Sequence, residues 1–207
     1  MDTFDAIYAR RAVKAFDPDH RLTPDEEKKL LGASIQAPTS FNIQHWRFVV
    51  LRDPELRREI RTKHGHDQAQ MTDASLLVLL TADMKAWAKS PERYWKNAPR
   101  EVAELLVNWM GPFHEGREWL QRDEAQRSMG MAMQNLMLAA TAMGYQSCPM
   151  IGFEIDKVAE LVKLPRTSSI ATAGENTMFS SWSFPASTLE KSRSRNGASD
   201  YRSILVE

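Results

Sequence analysis

The stretch from Asp123 to Met143 leaves few folds open. Met129, Met131, Ala132, Met133, Leu136, Met137, Leu138, Ala139, Ala140 and Met143 make a predicted helix apolar nearly all round. Such a helix has to be covered on several sides, so it belongs at the centre of the fold. Its small residues and flexible methionines suit close helix packing or an interface. Gly144 ends it as a C-cap ahead of Tyr145. A chain of 207 residues with 43% hydrophobic content is long enough to build one substantial core around it.

Strands to pack against that helix are few and buried. Ser75 to Ala82 is a continuous apolar run with polar ends, and Phe48-Val49-Val50-Leu51 is a shorter one stopped by Arg52-Asp53-Pro54. Helices alternate with them. Phe4, Ile7, Tyr8 and Val13 suggest a short first helix ending near Arg10-Arg11. Thr23-Pro24-Asp25-Glu26 reads as a capping box with proline at the first helical position, and the helix runs through Leu30, Leu31 and Ile35 towards Pro38. Pro54 to His64 and Val158 to Leu164 read as further helices. Residues 86–121 carry Trp87, Tyr94, Trp95, Trp109, Phe113 and Trp119 on helical pieces interrupted at Pro91, Pro99 and Gly111-Pro112. Beyond Pro165 serine dominates, and Ser168 to Thr172 is at most a weak strand. The pattern predicts a layered α+β protein.

Charge and cysteine use exclude several classes. Lysine plus arginine and aspartate plus glutamate both number 27, a net charge of +0, so no field draws the chain to nucleic acid or a membrane surface. A single cysteine, Cys148, rules out an internal disulfide framework and reads best as a buried apolar thiol. No apolar run approaches the roughly 20 residues of a membrane span. Met1 to Asp5 lacks a signal peptide's basic start and apolar core, so a cytoplasmic protein is expected.

Two stretches carry chemistry. Pro38-Thr39-Ser40-Phe41-Asn42 gathers hydroxyls, an amide and backbone N–H groups between a helix and a strand. That makes a polar rim for a planar ligand with many acceptors, although a plain connection has the same composition. Arg10, Arg11 and Lys14 offer two planar forks and one point charge, suited to phosphate or carbonyl edges, although a solvated basic turn looks alike. His64-Gly65-His66-Asp67 lacks the spacing of a metal site and reads as a solvated turn, so no metal is expected. Neither an acid–base dyad nor a Gly-x-Gly-x-x-Gly fingerprint is evident, which argues against a separate Rossmann site.

Taken together, Arg10-Arg11-Ala12-Val13-Lys14-Ala15-Phe16 and Pro38-Thr39-Ser40-Phe41-Asn42-Ile43-Gln44-His45-Trp46-Arg47-Phe48 resemble the paired motifs of the nitroreductase family. The family's FMN-dependent reductases carry Arg-Arg/His-Ser-x-Lys/Arg-x-Phe and then Pro-Ser/Thr-x-x-Asn-x-Gln-Pro-Trp-x-Phe. Ala12 replaces the usual serine or threonine, and His45 the usual proline. Met143-Gly144-Tyr145 followed by Pro149-Met150-Ile151-Gly152-Phe153 resembles the family's Gly, then Pro-x-x-Gly-Phe segment, with Ile151 where Glu or Gly is frequent. Lys191-Ser192-Arg193 resembles its Lys-x-Arg near the C-terminus.

The resemblance implies an α+β nitroreductase-like sandwich, with a central, mainly antiparallel sheet flanked by helices, in a single domain over residues 1–207. Residues 86–121 would be a helical lid insertion and residues 165–207 an atypical C-terminal segment, whose end from Tyr201 to Val206 would be an exchanged arm. It implies an interlocked homodimer with FMN at the interface. Flavin contacts would come from Arg10, Arg11, Ala12, Lys14, Pro38, Thr39, Ser40, Asn42, Gln70, Pro149, Met150, Ile151, Gly152, Lys191 and Arg193. Trp109, Phe113 or Trp119 would gate the substrate. NAD(P)H would reduce the flavin at N5, and a small electron-poor acceptor such as a nitroaromatic or quinone would reoxidise it by ping-pong. No side chain would itself be catalytic, and Lys14 would stabilise negative charge near flavin N1. Other same-fold chemistry (dehalogenation or flavin breakdown) and a non-catalytic flavin-binding protein stand as alternatives, with a protein-interaction module behind them.

Overall fold

A computed structural model describes residues 1–164 together with the backbone of the strand Met178–Ser183. Its helices are α1 (Thr3–Ala9), α2 (Pro24–Ser34), α3 (Pro54–Glu59), α4 (Gln70–Asp73), α5 (Arg100–His114), α6 (Glu118–Ala142) and α7 (Ile155–Leu161). The strands are β1 (Trp46–Val50), β2 (Leu76–Ala82), β3 (Gln146–Met150) and β4 (Met178–Ser183), paired antiparallel in the order β1-β2-β4-β3. The segment after α1 adds a parallel bridge, Ala12 to Ser147, at the β3 edge.

Side-chain alternation divides the sheet into two cores. Trp46, Phe48, Val50, Leu76, Val78 and Leu80 face α2 and α6, where they meet Ala132, Met133 and Leu136. Val49, Leu51, Leu77, Leu79, Cys148 and Met150 face the other way, against Ile60, Met71 and Val158. Because β2 is buried on both faces, its apolar run is unbroken, not alternating. Ser34 Oγ donates to Ala132 O at 2.8 Å, locking α2 onto α6 inside the first core.

The Thr23 capping box forms. Thr23 Oγ1 accepts from Glu26 N at 3.3 Å, and Glu26 accepts from Thr23 N at 2.9 Å. Other boundaries moved. β1 begins at Trp46, since the ladder is continued by Asp83 N donating to His45 O at 2.8 Å. α2 stops at Ser34, short of Pro38. α5 runs through Gly111-Pro112 to His114, and Pro112, having no N–H, leaves out one i to i−4 bond, the one to Asn108. α6 starts at Glu118, ahead of the expected Asp123, and so carries Trp119. The last strand is Met178–Ser183; the expected weak strand at Ser168 to Thr172 lies outside the described residues.

Within one chain, the all-round burial expected of α6 is incomplete. Gly130, Met131, Gln134 and Ala142 form an exposed stripe along it. α1 packs beside α6 yet buries only Ala6, leaving Phe4 at 71% and Tyr8 at 74% exposure.

Candidate functional site

Two groups of the expected residues lie on opposite edges of the sheet. The first gathers at β3. Val13 N donates to Ser147 O at 3.1 Å, which lays Arg10 to Lys14 alongside that strand. Arg11 Nη1 donates to the carbonyls of Tyr8 and Arg10 at 2.7 and 2.8 Å, closing the end of α1. Arg10 and Lys14 meet no carboxylate among the described residues. Burial pushes the Cys148 thiol up, while the Lys14 charge and a hydrogen bond from Gln70 oppose it, so these three side chains are neighbours. Cys148 is thus the buried, inert thiol the sequence suggested.

The turn after β3 completes this group. Gly152 sits at φ +83°, a left-handed conformation that disfavours any side chain. Gln68, a residue the sequence reading passed over, reaches across: its Nε2 donates to Gly152 O at 3.0 Å and Ile151 O at 3.4 Å. Its own Oε1 accepts from Gln70 Nε2 at 3.4 Å. Ile151 is left 67% exposed, and Pro149 and Met150 are taken up in the strand.

The second group lies across the sheet, before β1. Phe41, Asn42 and Gln44 have φ of 50°, 52° and 53°. Three left-handed non-glycine residues in so short a loop store strain of about 1 kcal/mol each, the kind of strain that collects at binding sites. The structure ties Asn42 internally: Nδ2 donates to Tyr94 O at 3.1 Å and Oδ1 accepts from Gln44 Nε2 at 3.0 Å. Thr39 Oγ1 accepts from Gln44 N at 3.0 Å. Pro38 is exposed and Ser40 half-buried at the same rim. Phe41 meets Phe113 with ring centroids 5.3 Å apart, joining the loop to α5. Trp109 and Trp119 project at 58% and 61% exposure.

Beneath this rim lie two buried histidines. His45 Nδ1 is 3.1 Å from Ser128 Oγ, and His114 Nδ1 is 2.8 Å from Met110 O; neither Nε2 has a hydrogen-bond partner among the described residues. Burial first, then the nearby His114 and Arg47, lowers His45 to about 4. His114 is also lowered, chiefly by burial, and stacks on Trp87. Both rings are therefore neutral near pH 7. His64, from the expected solvated turn, pairs with Glu154 at 2.8 Å.

Between the two groups run β3, β4, β2 and β1, so four strand spacings separate them, roughly 19 Å. Lys191 and Arg193 lie outside the described residues.

A sequence profile of the Nitroreductase family matches residues 7–174. Protein DrgA of Synechocystis sp. is 70% identical over 170 residues, covering 82% of this chain and 80% of that protein. YodC of Bacillus subtilis, provisionally named an NAD(P)H nitroreductase, is 29% identical over 157 residues, covering 73% of this chain and 77% of its own. Among solved structures, a nitroreductase-type protein of Exiguobacterium sibiricum in complex with FMN superposes with a TM-score of 0.80 at 23% identity, over 94% of both chains. CLA-ER, a gut-bacterial enone reductase of fatty acid saturation, gives 0.77 at 22% identity, over 93% of both chains. With the profile spanning most of the sequence and DrgA this similar over four-fifths of it, the chain belongs to the Nitroreductase family.

Proposed function

We propose that the chain is an FMN-dependent, NAD(P)H-driven oxidoreductase acting on small electron-poor aromatics or quinones, as a homodimer with two shared flavin sites. The observation that carries this reading is the β3 edge. Arg10 and Lys14 meet no carboxylate among the described residues, and Lys14 stands beside Gln70 and Cys148, with the Ile151–Gly152 turn joined to Gln70 through Gln68. That donor set fits FMN: cations for a phosphate and for an electron-rich ring edge, an amide for carbonyls, and a glycine turn open to close approach.

The chemistry FMN supplies when bound is two-electron transfer, from NAD(P)H and then to the acceptor, in ping-pong order. The chain's part is electrostatic. Lys14 offsets negative charge that accumulates on reduction, and Arg10 and Arg11 hold the phosphate end. Gln68 fixes the 151–152 backbone so that its N–H groups keep one direction. The rim at Pro38, Thr39, Ser40 and Asn42 lies too far across the sheet to reach the same flavin within one protomer. A second copy supplies it, with Trp109, Phe113 and Trp119 over the open face. The exposed stripe on α6 and the apolar face of α1 are the surfaces such a pairing would cover. CLA-ER, which shares the fold, is named an enone reductase, so the fold alone does not fix the acceptor, and the exposed aromatics over the open face are the residues proposed to choose it.

The test is one spectrum. Purified protein should be yellow, bleach anaerobically with NADH or NADPH, and recover colour when a nitroaromatic or quinone is added. Colourless protein that takes up no FMN would sink the proposal; a yellow protein that never bleaches would indicate a flavin carrier instead.

A further inference from the structure

Where β1 ends and β2 begins, five arginines line one cleft of about 600 Å³ that none of the expected site residues lines: Arg21, Arg52, Arg57, Arg58 and Arg61. Its deepest residues are apolar, among them Val50, Leu76 and Ala74. Carboxylates answer three of the five. Glu27 holds Arg52 at 2.5 Å, Glu55 holds Arg58 at 2.6 Å and Asp67 holds Arg61 at 2.7 Å. Among the described residues Arg21 and Arg57 have only backbone carbonyls as partners. Arg57 Nε and Nη1 donate to Leu51 O and Ala74 O, each at 2.7 Å, and Arg21 Nη1 donates to the carbonyls of Pro18 and His20. Burial, then the charges of Arg21 and Arg52, pushes the Arg57 guanidinium down to about 10. A half-buried cation with cations for neighbours lacks its counter-charge.

We propose that this cleft binds the phosphate group of a nucleotide-sized organic phosphate, with Arg57 and Arg21 as phosphate ligands and the apolar wall against the ligand's body. Two guanidinium charges with no carboxylate among the described residues match a phosphomonoester dianion better than a single carboxylate, and planar groups suit phosphate oxygens. The volume lies in the range of small-molecule pockets and exceeds what a bare ion needs. The cleft opens where β1 ends and β2 begins, and neither Arg10, Arg11 nor Lys14 lines it, so it is distinct from the flavin phosphate position proposed above.

Calorimetric titration of the full chain, saturated with FMN, tests this with adenosine 5′-monophosphate, adenosine and inorganic phosphate as probes. The monophosphate should bind and weaken with added salt, inorganic phosphate should bind less tightly, and adenosine should not bind. Arg21→Gln should weaken the monophosphate about tenfold or more, the loss expected for one charge-assisted contact. Arg57→Lys, which keeps the charge but not the fork, should do the same, while Lys63→Gln should change nothing. NADPH binding more tightly than NADH, with the preference lost in Arg21→Gln, would assign the phosphate to the reductant's ribose; an effect on the monophosphate alone would assign a free nucleotide. Absence of both monophosphate binding and NADPH preference overturns the proposal. So does binding unchanged in both arginine variants, or a rise in free-flavin fluorescence showing that the probe has entered the flavin position.

Discussion

His45 stands where the family's motif has proline, and its ring is sealed in the core beside His114, Ser128 and Asp83. Its folded pKa of about 4 lies below the ordinary 6.5, so the unfolded chain binds the proton first as pH falls. Stability from His45 is complete above about 6.5 and is lost progressively down to 4, with His114 acting in the same direction. Urea midpoints should drop by the equivalent of roughly 2 kcal/mol between pH 7 and pH 5. His45→Gln should flatten that dependence, and an unchanged slope would refute the assignment. Lys14 makes the second residue-level prediction. With its ammonium replaced in Lys14→Met, anaerobic bleaching by NAD(P)H should slow ten- to several hundredfold, within the range for losing one preorganised electrostatic contact. The flavin potential should fall in parallel, a shift that a purely structural lysine would not produce.

At the scale of elements, what could be read from the sequence was what local chemistry decides. The box at Thr23 needs only four residues, and it forms. Thr23→Ala should cost about 1 kcal/mol, a melting shift of roughly 2–4 °C, and Thr23→Ser should restore it; equal melting temperatures would show that α2 is held by α6 alone. β2 was legible because double burial leaves only apolar residues. β4 was not, since Met178-Phe179-Ser180-Ser181-Trp182-Ser183 is a strand by virtue of its neighbours β2 and β3, not its composition. The path of α5 through Pro112 was missed because a proline near a helix end reads like one that breaks a helix. In the site, the motif at Arg10 to Lys14 and the rim at Pro38 to Asn42 were visible as residue types. That they lie at opposite edges of the sheet, and that Gln68 rather than a motif residue clamps Gly152, depends on long-range pairing that no local pattern encodes.

For the whole molecule the sharpest prediction concerns Gly130. It lies mid-helix on the outward stripe of α6, and a Cβ built there meets nothing within 4 Å. Inside one protomer a larger side chain is therefore harmless, and replacing glycine even favours the helix. If the stripe is instead covered by a second copy, an arginine there would be driven into an apolar contact with no counter-charge. Gly130→Arg should then leave the circular dichroism spectrum intact and shift the mass in light scattering from twice 23.6 kDa to a single chain. If, as proposed, the rim and the β3 edge meet across the pairing, flavin should be lost in the same step. A variant that stays dimeric removes α6 from the interface. One that becomes monomeric yet keeps its flavin and still bleaches shows that a single protomer closes the site, which the separation across β3, β4, β2 and β1 argues against.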